Sequence, residues 1–183
     1  MSRLHMPASV EASPAASRPL LHAVKAQLGM VPNLFRVAGN SPAALEGYVG
    51  LNAALGKGAL EGSTRERIAL AVAEFNGCGY CLSAHTYLGE HLARLDAAEM
   101  EANRQGGSGD PKSAAAVRFA RQVLERRGHV ADEDVRAIRS AGYDEAQIVE
   151  IIQHVALNVW TNYLNNVAQT EIDFPVVSPR KVA

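Results

Sequence analysis

The stretch STRERIALAVAEFNGCGYCLSAHTYLGEH, residues 63–91, decides the fold class. Its first half, RIALAVAEF, places Ile68, Val72 and Phe75 on one helical face. Ser63 and Glu66 stand in the S-x-x-E order of a capping box. Asn76-Gly77 is a turn signal, and the segment restarts as a helix running towards Leu95. The stretch thus reads as a helical hairpin, with both cysteines of the chain, Cys78 and Cys81, at its bend.

Outward from this hairpin the same grammar repeats. Ser17 and Pro19 open a helix that Gly29 stops, and Ser41-Pro42 open another that closes near Gly56–Gly58. Asp96 with Glu99, Asp110-Pro111, Asp132, and Asp144 with Gln147 mark four more helix starts, the last before a long helical run through residue 169. No stretch alternates long enough to be a strand, so the chain is expected to be all-α. A shift of 80 residues lays the hairpin over YDEAQIVEIIQHVALNVWTNYLN, with Asn158 and Thr161 under Cys78 and Cys81. This suggests two degenerate helical-hairpin repeats.

At 183 residues one domain is expected, here residues 19–176, between a flexible N-terminal arm (1–18) and a C-terminal tail (177–183). A net charge of −1 gives no reason to expect nucleic acid or a membrane surface as partner. The apolar runs are too short to span a bilayer, and the N-terminus lacks the apolar core of a secretory signal. A Cys-x-x-Cys pair in such a chain points to redox or metal chemistry in the cytoplasm rather than to a disulfide scaffold.

On a helix Cys78, Cys81 and His85 fall along one stripe, so the thiols can meet and the imidazole can reach Cys81. The thiolate is the reactive form, and a helix N-terminus or an imidazolium favours it. Cys78 is nearer the helix start and Cys81 nearer the histidine, so position leaves the attacking sulfur open. Folding the hairpin brings Glu66 level with His85, and Glu66 has two readings, relay carboxylate or capping residue. Zinc on Cys78, Cys81, His85 and His91 is the rival chemistry, but four ligands on one helix is poor zinc geometry. His154 reads as a core histidine, Glu74 as a reserve carboxylate, and the amides of Asn158, Asn162, Asn165 and Asn166 as an inter-helix or inter-subunit network. Tyr80 is a pocket wall or a donor to substrate.

The order Glu66, Cys78-Gly79-Tyr80-Cys81, His85, with NGCGYCLSAH around it, resembles alkylhydroperoxidase D and its carboxymuconolactone decarboxylase superfamily. LGMVPNLFRVAGNSPAALEGY and NVWTNYLNNVAQTEIDFP resemble its peroxidase-related branch. The resemblance implies an alkylhydroperoxidase D-like helical bundle, assembled as a trimer or hexamer, that reduces organic hydroperoxides without metal or haem. It implies Cys81 as the peroxidatic thiolate, Cys78 as the resolving cysteine, His85 as proton relay and Glu66 behind it. No bound cofactor is expected, but an external dithiol, a thioredoxin-like reductant or a lipoyl-type adaptor must reopen the disulfide. Tyr80 replaces a histidine of the family. The alternatives are a disulfide reductase or redox sensor using the same pair, and a structural oligomer with inert thiols.

Overall fold

The computed structural model describes residues 2–180, which contain nine α-helices and no strand. They are α1 (Arg18–Leu28), α2 (Asn33–Ala38), α3 (Pro42–Leu55), α4 (Gly62–Phe75), α5 (Gly79–His91), α6 (Ala97–Arg104), α7 (Pro111–Glu125), α8 (Asp132–Ser140) and α9 (Glu145–Ala168). A 3-10 turn at Ala15–Ser17 precedes α1.

Helix α4 is the axis of the bundle. Ile68 through Ala73 are all buried, so the helix is apolar all round and is enclosed by α5, α6, α7 and α9. Each of its fully buried large side chains, Ile68, Leu70 and Val72, contributes about 1.5–3 kcal/mol of transfer free energy. One apolar cluster joins α4 to α7, α8 and α9 through Ile68, Phe119, Ile138 and Ile151. A second surrounds the α4–α5 bend and holds Cys78, Cys81, Leu70, Leu82 and Met100. A third, around Leu21, Ala38 and Leu45, seats α1–α3.

The bend is made by Asn76, the last-turn cap of α4, and Gly77 at φ +62°, a backbone state that glycine adopts without Cβ strain. The Cys78 N–H then closes onto Ala73 O at 2.9 Å, and Cys78 starts α5.

Several helix starts differ from the sequence expectation. Helix α4 begins at Gly62 with Glu61 before it and no side-chain cap, and the Glu66 carboxylate of the expected capping box pairs with His85 instead. Helix α8 is capped through Asp134, which accepts from the Ala131 N–H at 2.9 Å, rather than by Asp132. Ser17 precedes α1, but its hydroxyl donates to Gly39 O at 2.7 Å and ties α1 to the end of α2. Phe75 is 40% exposed, with the Arg121 guanidinium over its ring. The segment compared with the hairpin at an offset of 80 is one unbroken helix, α9. It carries Ala156 and Leu157 where the hairpin has Asn76 and Gly77, so nothing breaks it.

Both flanking segments lie against the bundle. Pro7 is fully buried, its carbonyl accepts from Arg36, and the Arg3 N–H donates to Ala168 O at 2.6 Å. At the other end Val177 N–H donates to Ser83 Oγ at 2.9 Å, and Arg180 N–H donates to Glu74 Oε1 at 2.8 Å. Glu74 is therefore a buried anchor for this strap and for Arg104, which donates to its Oε2 at 2.6 Å.

Candidate active site

Cys78 is the N-cap of α5, and its sulfur accepts from the Cys81 N–H at 3.3 Å. Cys81 stands in the first turn of that helix, where unpaired backbone N–H groups favour an anion. Both thiols are reduced and buried. The two sulfurs differ sharply in acidity. The Cys78 thiol is pushed up, first by its hydrogen bond with Cys81 and then by burial. The Cys81 thiol is lowered to about 7, chiefly by the hydrogen bond from Cys78, against burial, with further help from the His85 charge. Asn165 Nδ2 donates to Cys81 Sγ at 3.3 Å from across the bundle and favours the thiolate as well. The Asn162 amide adds a smaller pull, although its Nδ2 completes no hydrogen bond.

His85 lies one turn beyond Cys81. Its Nδ1 meets Glu66 Oε2 at 2.8 Å across the α4–α5 hairpin. Burial alone would lower the imidazole's pKa, but the Glu66 carboxylate outweighs it and the net shift is upward. The pair thus favours the charged imidazole one helical turn from the acidic thiol. Of the two readings of Glu66, the geometry gives the ion pair and not the cap.

Cys81, His85, Glu66 and Tyr80 line one cavity of about 920 Å³ between α4, α5, α9 and the α1–α3 layer. The Tyr80 ring forms part of the wall, but its hydroxyl is committed: it donates to Asp173 Oδ1 at 2.8 Å and accepts from Leu34 N–H at 3.1 Å. Tyr80→Phe should therefore cost about 1–3 kcal/mol of stability, because the buried Leu34 N–H and Asp173 lose their partner. Urea unfolding would measure it. A change within error would show that water replaces the hydroxyl.

Of the remaining candidates, His91 stacks on Tyr87 at the surface and does not join the cysteines. Among the described residues no three His, Cys, Asp or Glu side chains converge as a metal site requires. The sequence reading missed two contributors. Asn165 reads in the sequence only as part of an amide network, and its reach to the sulfur depends on how α9 crosses α5. Tyr48 on α3 also lines the cavity, flanked by the tilted rings of Phe35 at 5.5 Å and Trp160 at 5.1 Å. The regular spacing of Asn158, Asn162 and Asn165 on an apolar helix was the available signal for the first; Tyr48 had none.

The helical domain that carries this reduced Cys-x-x-Cys pair and the His–Glu ion pair one turn on has an alkylhydroperoxidase D-like fold. The carboxymuconolactone decarboxylase family model matches residues 42–122, and the chain resembles the alkylhydroperoxidase D and carboxymuconolactone decarboxylase superfamily.

Among solved structures, a peroxidase-related protein with an alkylhydroperoxidase AhpD core from Ralstonia eutropha JMP134 is 25% identical. The match covers 94% of this chain and 92% of that one, with TM-score 0.83. A peroxidase-related protein from Silicibacter sp. TM1040 is 22% identical, covering 93% and 91%, with TM-score 0.80. A cysteine-to-alanine variant of the debrominase Bmp8, in complex with 2,3,4-tribromopyrrole, is 19% identical, covering 94% of each chain, with TM-score 0.77. The last two likenesses are of fold. No curated protein matches in sequence.

Proposed function

We propose that the protein is a thiol peroxidase that reduces organic hydroperoxides in antioxidant defence. The observation that carries this reading is the opposite tuning of the two sulfurs, with the acidic one, Cys81, facing the cavity beside His85, whose pKa Glu66 raises. The Cys81 thiolate attacks the terminal oxygen of R–OOH and the O–O bond breaks. His85 gives its proton to the departing alkoxide, so the products are R–OH and a Cys81 sulfenic acid. Glu66 holds the imidazole in place and favours its charged form. Cys78 then attacks the sulfenic sulfur, giving a Cys78–Cys81 disulfide and water. An external dithiol, in the free or lipoyl-type protein-bound form, takes over the disulfide and restores both thiols.

Two features favour this over a disulfide reductase or an inert scaffold. A thiol with pKa about 7 is substantially ionised at neutral pH, unlike a packing thiol. Cys81 is only 2% exposed and opens onto a cavity of small-molecule size rather than onto a flat protein-binding face.

Stopped-flow mixing of the reduced protein with cumene hydroperoxide and with hydrogen peroxide tests the reading. The rate constant should rise about tenfold per pH unit below 7 and level off above it, since thiolate is gained as pH passes the Cys81 pKa. Cumene hydroperoxide should be the faster oxidant. Oxidation no faster than that of a free model thiol would overturn the proposal.

Self-association belongs to the same reading. Val149, Ile152, Trp160, Tyr163 and Val167 leave an exposed apolar stripe along α9, with exposed Ala156 between them. A stripe of this spacing suits a helix–helix seam between copies. Replacing Tyr163 and Val167 together by glutamate should weaken the assembly at least about tenfold in sedimentation velocity. A wild-type protein that is monomeric at micromolar concentration would remove the basis for this.

A further inference from the structure

The peroxidase step occupies only one wall of the cavity. Val24, Leu28, Leu34, Phe35 and Leu92 supply apolar lining, enough for a hydrocarbon chain rather than hydrogen peroxide. Another part of the lining is cationic and polar, formed by Arg65 in the first turn of α4, His154 on α9 and Lys57 after α3. Glu66 is the one carboxylate among the described lining residues, and His85 already holds it.

Arg65 and His154 are underused by the fold. Arg65 gives one hydrogen bond, from Nη1 to Leu55 O at 3.2 Å, and among the described residues no carboxylate pairs with it. His154 is 4% exposed, and its Nε2 has no hydrogen-bond partner. Nearby Glu150 is spent on the Ala59 and Leu60 N–H groups, at 2.9 Å each. Burial first, and the Arg65 charge second, lower the His154 pKa to about 4, which keeps the ring neutral. A neutral imidazole in its Nε2–H form donates a hydrogen bond to an anion beside the guanidinium, and an orphaned buried nitrogen gains a partner by doing so.

We propose that Arg65 and His154 form a carboxylate-binding subsite, and that the substrate reduced at Cys81 is a carboxylate-bearing organic hydroperoxide of the fatty-acid type. The subsite rests on the peroxidase reading for its substrate. Arg65 lies next to Glu66, which pairs with His85, and Cys81 stands one turn, about 6 Å, before His85 on α5, towards the bend. A single molecule with its carboxylate on Arg65 and its peroxide at Cys81 would lay its carbon chain along the apolar lining of the same cavity.

The test compares a medium-chain hydroperoxy acid with its methyl ester, both below their micellar concentrations, with cumene hydroperoxide run alongside. The wild type should prefer the acid at least about tenfold in kcat/KM, mainly through KM, and Arg65→Gln should bring the ratio close to one. Arg65→Lys should keep part of the preference, and His154→Gln, which retains an N–H donor, should keep more of it than His154→Leu. Calorimetry with the corresponding hydroxy acid should show binding that Arg65→Gln loses. Arg65 is partly exposed, so this variant carries the test if a buried His154 substitution fails to fold.

Equal rates for acid and ester in the wild type, or a ratio unchanged in Arg65→Gln, would overturn the subsite while cumene hydroperoxide turnover keeps the peroxidase reading intact. If no hydroperoxide oxidises the protein, the peroxidase reading fails, and hydroxy-acid binding still decides the subsite.

Discussion

Cys81→Ser should abolish peroxide reduction, with the rate constant for oxidation falling at least about 10³-fold, because the hydroxyl that replaces the acidic thiol is neither ionised nor oxidisable. Cys78→Ser should behave differently. It keeps a hydroxyl donor towards the Cys81 sulfur and so keeps much of what lowers that thiol's pKa. Its first oxidation should therefore proceed within about tenfold of the wild-type rate and stop at a sulfenic acid, trapped by a dimedone-type reagent and seen as one added oxygen by mass spectrometry. Turnover should be lost, since no second thiol closes the disulfide. The reverse pattern, with Cys78 carrying the fast oxidation, would refute the assignment of roles.

The second large effect belongs to the ion pair across the hairpin. His85→Ala should lower the oxidation rate constant by about 10²–10⁴-fold, the usual range for loss of a positioned acid. It should also move the pH profile. The His85 charge helps lower the Cys81 pKa to about 7, so its removal shifts the inflection upward, towards that of an ordinary thiol. Glu66→Gln acts through the same imidazole. Without the carboxylate the His85 pKa falls, less imidazolium is present at neutral pH, and Cys81 again titrates higher. The expected loss is about 10–10²-fold, smaller because the amide still holds the ring. An unchanged pH profile in either variant would remove the relay from the mechanism, whatever the rate does.

Much of the helical pattern was legible because it rests on local chemistry. Pro42 behind Ser41, Pro111 behind Asp110, and the reciprocal Asp144–Gln147 box each satisfy backbone groups within a few residues of themselves. The same local logic misplaced two starts. Ser63 and Asp132 each had a competitor: a carboxylate drawn across the hairpin in one case, and a better-placed Asp134 in the other. The apparent second hairpin failed for a related reason. Repeated apolar spacing sets a helical face but not a bend, and only the first copy carries the Asn-Gly that turns the chain.

The sequence by itself determined an all-helical chain with Cys78, Cys81 and His85 on one stripe, because helical spacing and the Asn76-Gly77 bend are short-range properties. It also brought Glu66 within reach of His85, since two arms of similar length leave one bend. Only the tertiary structure decided which sulfur is acidic, because that depends on the Cys78 hydrogen bond, on Asn165 arriving from α9, and on how deeply each thiol is buried. It likewise decided that Tyr80 is tied to Asp173, and that Arg65 and His154 share a cavity with the thiol although 89 residues separate them in the chain. Burial and contacts between distant helices set those energies, and neither is written in local spacing.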